Sequence, residues 1–164
     1  MNIKKYSKEE RKGIMKNLQK KLNTDTVAFL GYNRYSTYER YQVQLENGST
    51  TWMSKYKLFD EEGNQIPLAR DYNGIFSFAK GVATVCIRQN TKIIETETGT
   101  KFTQDRKDGM IDINGNELLP CDFDSVSCKL DGFVEIIKNG IKKATNVNEI
   151  ISGKFNWDTA NKWD

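Results

Sequence analysis

The sequence contains no histidine among its 164 residues. Histidine is the usual general base near neutral pH and a common zinc ligand, so its absence removes histidine-based triads and the common zinc sites. No Cys-x-x-Cys pair, Walker-type loop or Gly-x-Gly-x-x-Gly turn occurs either. The sequence therefore predicts no metal site and no bound cofactor.

Apolar residues are also scarce, at 37% of the chain against about 45–50% in an average globular domain. No apolar run approaches the roughly 18 residues that span a membrane, and no apolar segment of a secretory signal follows the first residues. The three cysteines are too few and too widely spaced for a disulfide framework. These features predict a soluble cytoplasmic protein with reduced thiols and no membrane partner. The cysteines are Cys86, Cys121 and Cys128.

Basic residues are concentrated near the N-terminus. Residues 1–25 carry eight lysines and arginines against three acids, whereas the remaining residues carry 17 against 19. Ser7 and Glu10 have the spacing of a capping box, and apolar residues then recur at helical spacing from Ile14 to Leu22. These patterns predict a basic helix over about residues 8–22 and no other helix. The lysines expected on its opposite face are Lys12, Lys16 and Lys20.

From residue 26 onward the hydrophobic pattern is that of short strands. Asn47-Gly48 separates two such runs, which is typical of a hairpin because the tight turn requires positive φ. The sequence thus predicts a mainly β, α+β protein: an antiparallel meander of hairpins over residues 26–150, then an aromatic tail over 151–164 that contains Phe155, Trp157 and Trp163. Further turn signals are Asn73-Gly74, Asp108-Gly109, Asn114-Gly115, Asp131-Gly132 and Asn139-Gly140.

Two stretches of the meander match each other at an offset of 52 residues. Asp60 and Gly63 in the first correspond to Asp112 and Gly115 in the second. Repeats at a fixed period indicate repeated supersecondary units that pack against their neighbours. We place the units at about 54–92 and 106–143. Two more matched pairs, at an offset of 51, are Tyr72 with Phe123 and Gly81 with Gly132.

The repeated unit resembles the bacterial WG-repeat family, in which a repeat reads approximately Lys-Trp-Gly-aromatic-Ile-Asp, a Gly turn, Ile-Pro, a Tyr-Asp pair and a Gly before an apolar strand. Residues 107–112 read Lys-Asp-Gly-Met-Ile-Asp, so that Asp108 replaces the Trp. The first copy keeps an aromatic at Tyr56 but has Lys57 where Gly is expected. Two later matches are Leu119-Pro120 and Phe123-Asp124. The resemblance covers about residues 54–143 and implies a β-hairpin repeat module that binds partners and does not catalyse.

Pairs of carboxylates are the one arrangement here that can support catalysis. Glu95 and Glu97 alternate on one predicted strand, and Asp122 and Asp124 alternate on another. Two facing carboxylates are the requirement for a glycosidase site. Solvated strand edges and turn-stabilising aspartates explain such acids more often. We therefore predict no catalytic residues and keep a carboxylate-dependent hydrolase as an alternative.

Tyrosine recurs at every third position between residues 32 and 41, with arginines between. Aromatic faces stack on bases and guanidinium groups pair with phosphate, so the segment suits single-stranded nucleic acid. Tyrosine and arginine are equally frequent anchors of protein interfaces, and half-buried tyrosines can also cover a thin core. The candidate binding residues in this segment are Tyr32, Arg34, Tyr35, Tyr38, Arg40 and Tyr41.

Together these patterns favour a non-enzymatic protein-binding module that acts by occlusion or scaffolding. Its expected contacts are the 32–41 segment and the lysines Lys12, Lys16 and Lys20. The same features suit an inhibitor from a phage or mobile genetic element that blocks a host nuclease. The alternative is a nucleic-acid-binding protein with the basic residues on phosphates and the tyrosines under bases, for which binding would weaken steeply with salt.

Overall fold

The computed structural model describes residues 3–162, apart from the side chains of Asn90 and Phe102. Within this range the chain is mainly β, with antiparallel hairpins that follow an N-terminal helix, as the sequence predicts. The elements are α1 (Lys8–Leu22), β1 (Ala28–Gly31), β2 (Arg34–Gln44), β3 (Thr50–Phe59), β4 (Gln65–Ile66), β5 (Gly74–Ile75), β6 (Val82–Thr96), β7 (Gly99–Asp112), β8 (Glu117–Phe123), β9 (Ser125–Cys128), β10 (Phe133–Lys138), β11 (Ile141–Asn146) and α2 (Val147–Ile151).

Helix α1 begins and packs as predicted. Ser7 Oγ accepts the backbone N–H of Glu10 at 3.1 Å, and a Glu10 carboxylate oxygen accepts the N–H of Ser7 at 3.1 Å, which confirms the capping box. The helix ends at Asn23, whose left-handed φ of 51° allows its N–H to bond back into the last turn. Leu18 is buried, and the apolar stripe packs against Val27 and Tyr35.

The strands form three consecutive antiparallel meanders. Strands β1 to β4 form the first sheet, β5 to β8 the second, and β9 to β11 the third. Two long hairpins dominate: β2 with β3, called the first arm below, and β6 with β7, called the second arm. A backbone hydrogen bond of 3.0 Å from the N–H of Tyr56 to the carbonyl oxygen of Tyr72 joins β3 to the segment that leads into β5. The sequence repeat is therefore out of phase with the sheets, because each copy closes one sheet and opens the next.

The matched turns of the two copies have the same hydrogen-bond pattern. Oδ1 of Asp60 accepts two backbone N–H groups at 2.9 Å, and Oδ1 of Asp112 accepts two at 2.9 and 3.0 Å. The side-chain amides of Asn64 and Asn116 donate to the other carboxylate oxygen at 3.1 and 3.0 Å. The repeated aspartates therefore act as turn residues in both copies.

A second position is also equivalent in the two copies. The backbone N–H of Asn73 donates to Cys86 O at 2.9 Å, and that of Asp124 donates to Ile137 O at 2.8 Å. The side-chain oxygens of Asn73 and Asp124 then accept the backbone N–H groups of Arg88 and Asn139, each at 2.8 Å. Arg88 and Asn139 each lie two residues after the residue whose carbonyl is bonded. This polar residue therefore fastens the start of a short strand to the strand that follows.

Two apolar clusters bury the faces of the sheets. The first lies between the first and second sheets and centres on Leu58, Tyr72 and Val85. The second joins the second and third sheets. Its most buried members are Val82, Met110, Val134 and Ile136. Each sheet thus covers its neighbour, as stacked repeat units must.

Two predicted turn signals lie in strands instead. Gly74 is in β5 and Gly109 is in β7, where a register shift interrupts pairing with β8. A Cβ on Gly109 would lie 2.5 Å from the carbonyl oxygen of Leu119. The glycine is therefore required for close approach of two backbones rather than for a turn.

A second helix, α2, corrects the prediction of a single helix. Asn146 caps it by accepting the N–H of Glu149 at 3.0 Å, and Val147 and Ile150 are buried. Five residues are too few to show a helical period in the sequence. Neither helix of the described range is long and apolar enough to cross a membrane.

The residues after α2 pack back onto the third sheet. Phe155 and Trp157 lie against the second apolar cluster, and the ring of Trp157 is 5.5 Å from that of Phe123. Lys143 Nζ donates to the carbonyl of Trp157. The predicted aromatic residue Trp163 lies outside the described residues.

Candidate binding surfaces

The tyrosines of the 32–41 segment do not form one row. Successive side chains of a strand point to opposite faces, so a spacing of three places consecutive tyrosines on alternate sides. Tyr32 lies in the turn before β2, with a positive φ of 53°. Tyr35 and Tyr41 share one face of β2, and Tyr38 lies on the other. The four rings therefore cannot support one continuous stack of bases.

Two of the predicted binding residues have structural roles. Tyr35, on β2, is 1% exposed and packs in one cluster with Leu18 of α1. Arg34 donates from Nε to the carbonyl oxygen of Ile113 at 2.6 Å and from Nη1 to Asn33 O at 3.3 Å. This guanidinium therefore links the first sheet to the second, and it is not available as a plain phosphate ligand.

Tyr38 and Arg40 share an exposed face of the first arm with Trp52. The register pairs Tyr38 with Tyr56 and Gln42 with Trp52, which places all of these side chains on one side. The rings of Tyr38 and Tyr56 are 5.5 Å apart, and the guanidinium of Arg40 is 5.8 Å from the Trp52 ring. Trp52 is 54% exposed and Tyr38 36%. We call this surface, made of Tyr38, Arg40, Trp52 and Tyr56, the aromatic face.

The aromatic face has few charges. Lys55 and Lys57 lie on the opposite side of β3 and pair with Asp71 and Glu39, at 3.3 and 3.4 Å. At the exposed end of the aromatic face, the cation that β2 and β3 provide within the described residues is Arg40. Single-stranded nucleic acid requires a row of cations beside stacked aromatic side chains, and the described residues of these two strands do not form one.

Tyr41 belongs to the contact between the two arms. Its hydroxyl accepts the side-chain amide of Asn73 at 3.1 Å, and the same amide donates to Ser54 O at 3.0 Å. A cleft of about 210 Å³ lies beside this contact, with Trp52 and Tyr56 on one side and Arg88 on the other. Asn73 therefore holds the arms together at the base of the cleft.

Lys12 and Lys16 line a groove between α1 and the first sheet. The groove has a volume of about 400 Å³. Lys20 lies on the same helix and is exposed, but it is not among the groove residues. We call this the helix groove, defined by Lys8, Arg11, Lys12, Met15, Lys16, Gln19, Phe29 and Tyr35.

In neither proposed carboxylate pair do both residues lie on one strand, since β6 ends before Glu97 and β8 ends before Asp124. Glu97 lies in the turn between β6 and β7, whereas Glu95 is on β6. Asp122 pairs with Lys138 and Asp124 with Lys107, each at 2.6 Å. In the described range, no three side chains of His, Cys, Asp or Glu come together as a metal site requires.

Asp124→Asn is expected to flatten the dependence of stability on pH below about 4. A hydrogen bond from Lys107 lowers the pKa of Asp124, with a second from the N–H of Asn139. A lowered folded-state pKa stabilises the fold above the unfolded-state pKa, and this stabilisation is lost as pH falls through the folded-state value. Urea unfolding at a series of pH values measures the slope. Lys107→Met should flatten the same region, and an unchanged slope in both variants would contradict the assignment.

Sequence reasoning missed Trp52, Arg11 and Phe29. The Asn47-Gly48 signal does not give the face of Trp52, because a two-residue turn there would pair Trp52 with Val43. In the structure the N–H of Leu45 bonds to Ser49 O across a three-residue loop, and Trp52 pairs with Gln42, on the side of Arg40. Arg11 and Phe29 meet only because α1 folds onto β1, where the guanidinium lies 5.2 Å from the Phe29 ring. No local pattern signals that contact.

Comparison of this chain with family models, curated proteins and solved structures finds no match. The resemblance to WG repeats stays a prediction.

Proposed function

We propose that this chain is a non-enzymatic protein-binding module and that the aromatic face is its anchor. The observation that carries the proposal is the exposed Trp52, which lies under the guanidinium of Arg40 and beside the Tyr38–Tyr56 ring pair. Trp, Tyr and Arg are the residues enriched among those that dominate binding energy at protein interfaces.

The continuous strand pairing of the first arm supports this proposal. The arm is a continuous antiparallel pair from Tyr35–Phe59 to Gln44–Thr50, and Asn73 attaches it to the second arm. A preorganised aromatic surface loses little conformational entropy when it binds. The module would then act by covering a surface of its partner. Occlusion of a host nuclease by a phage or mobile-element protein is one form of this function.

A photo-crosslinking residue at position 52 tests the proposal. Trp52→p-benzoylphenylalanine should give a discrete cross-linked protein in a lysate of the source organism. The same replacement at Leu130, which is 87% exposed and lies between β9 and β10 of the third sheet, should not. Excess wild-type protein should remove the product. Excess of a variant with Trp52→Ala and Arg40→Ala should not, since such anchors are worth about 2 kcal/mol or more.

Equal products at positions 52 and 130, or none at either, would contradict the proposal. The nucleic-acid alternative is distinguished with labelled single- and double-stranded oligonucleotides at low and physiological salt. Tight binding that weakens steeply with salt and is lost with Arg40→Ala would replace the protein partner with nucleic acid.

A further inference from the structure

The helix groove combines an apolar floor with a basic rim. Met15, Phe29 and Tyr35 contribute the floor, and the rim residues are Lys8, Arg11, Lys12 and Lys16. A second cavity of about 410 Å³ continues from it past Arg11 and Phe29 and adds Lys4 and Lys5. The lining of both cavities, in the range that the structure describes, includes no acidic residue.

One floor residue, Tyr35, carries a buried polar group without a hydrogen-bond partner in the described range. The hydroxyl oxygen of Tyr35 is buried and has no hydrogen-bond partner among the described residues. Burial raises the pKa of this hydroxyl, so at neutral pH it is a protonated donor. Burying a hydroxyl without a hydrogen-bond partner destabilises the folded state, and almost all buried polar groups in native structures therefore have a partner. Because Tyr35 lines the groove, an acceptor that enters beside its ring and reaches this hydroxyl would satisfy it.

The lysines of the rim are spaced so that each can pair with a separate acidic group of one ligand. Lys8, Lys12 and Lys16 follow one another at intervals of four residues, so their Cα atoms span roughly 12 Å of helix. An extended peptide of about five residues covers that length, and its first, third and fifth side chains point to one side, one for each lysine. Among the described residues, the rim has an ion pair between Lys12 and Glu9 at 3.6 Å, which is exposed and weak. The cations are thus open to an incoming carboxylate.

The floor favours a peptide over nucleic acid. A base needs an exposed aromatic face to stack on. The guanidinium of Arg11 lies 5.2 Å from the Phe29 ring, and that ring also packs against Tyr35, with centroids 5.2 Å apart. What stays open beside them is a recess next to Met15, which suits an aliphatic or aromatic side chain.

We propose that the helix groove is a docking site for an acidic, amphipathic segment of a partner protein. Carboxylates of the segment pair with Lys8, Lys12 and Lys16, an apolar side chain fills the recess beside Met15, and one acceptor oxygen receives the Tyr35 hydroxyl. The site is separate from the aromatic face, so this proposal holds or fails independently of the function proposed above.

Fluorescence anisotropy with a short labelled peptide of alternating Glu and Leu tests the site on the full chain. This peptide should bind, and a matched peptide of alternating Lys and Leu should not. Lys12→Ala and Lys16→Ala should each weaken binding a few-fold. Lys20→Ala is the matched control, since it removes the same charge from the same helix outside the groove, and it should leave the affinity unchanged.

Tyr35→Phe gives the most specific readout. The variant keeps the ring and should weaken peptide binding by about tenfold, the usual loss for a hydrogen bond to a charged group. The same variant should raise the melting temperature, because it removes an unsatisfied buried hydroxyl. Tyr38→Phe, on the exposed arm, should change neither quantity.

Four results would overturn the proposal. They are the absence of binding at millimolar peptide, equal weakening by Lys20→Ala and Lys16→Ala, an unchanged affinity in Tyr35→Phe, and tighter binding of a single-stranded oligonucleotide than of the Glu/Leu peptide. The last result would assign the groove to nucleic acid.

Discussion

Gly115→Ala is expected to lower the free energy of unfolding by about 3 kcal/mol or more, and Gly140→Ala by only about 1–2 kcal/mol. Both glycines have a left-handed φ, 80° and 77°, so both pay the same backbone penalty when a Cβ is added. A Cβ on Gly115 would in addition collide with the carbonyl oxygen of Pro67, whereas nothing lies within 4 Å of one on Gly140. Urea unfolding followed by tryptophan fluorescence measures both losses.

The difference between the two variants reports the docking of one repeat on the other. Gly115 belongs to the Asp112–Asn116 turn, and Pro67 belongs to the first copy. A backbone oxygen cannot rotate away as a flexible side chain can, so one strand or turn must shift. At the matched Gly63 the nearest atoms belong to the Lys21 and Leu18 side chains. Equal losses at positions 115 and 140 would show that the repeats are not in close contact there.

Asp108→Ala is expected to cost about 3 kcal/mol of stability. The Asp108 side chain is 4% exposed, and Arg106 Nε donates to it at 2.8 Å. The same carboxylate accepts the backbone N–H of Val126 at 3.3 Å, in the third sheet. Removing it leaves a guanidinium and a buried amide without their acceptor. Denaturant unfolding of the variant measures the cost.

A surface ion pair provides the control for this second prediction. Glu39 pairs with Lys57 at 3.4 Å, but its side chain is 72% exposed, so Glu39→Ala should change stability by at most about 0.5–1 kcal/mol. Asp108→Asn should cost less than Asp108→Ala, because its amide oxygen can still accept the Val126 N–H. Equal costs for Asp108→Ala and Glu39→Ala would contradict a structural role for the buried Asp108 carboxylate.

Asp108 also shows how one residue changes its meaning with tertiary structure. In the sequence it forms an Asp-Gly turn signal and stands where the resembling family has Trp. In the fold it lies inside β7 and joins the second sheet to β9. The Asp108-Gly109 pair does not form a turn, because the chain stays extended through β7. Glycine is needed there because the backbone of β8 approaches it closely.

The residues of the 32–41 segment also differ in their roles once the chain is folded. The composition of the 32–41 segment identifies Tyr38 and Arg40 as candidates, and both are exposed on the aromatic face. The same reasoning includes Tyr35, which is a buried core residue in the fold. Composition cannot tell these positions apart, because the face of a strand side chain depends on register and on which face another element covers.

The sequence by itself determined the local structure. The capping box of α1, its apolar stripe, the strand patterns and the matched aspartate turns all depend on residues within a few positions of one another. Such interactions act through backbone φ, side-chain hydrogen bonds and hydrophobic period, which a sequence displays directly. The mainly β fold with an N-terminal helix follows from them.

Only the tertiary structure decided which sheets the repeats build and where the surfaces lie. Each copy divides between two sheets, Asn73 joins the two arms, and Arg11 meets Phe29 when α1 closes over β1. These contacts depend on packing between segments far apart in the chain, and their energies come from burial and close approach rather than from local propensity. The helix groove and the buried hydroxyl of Tyr35 arise in this way, because they exist only between a helix and a sheet that the sequence encodes separately.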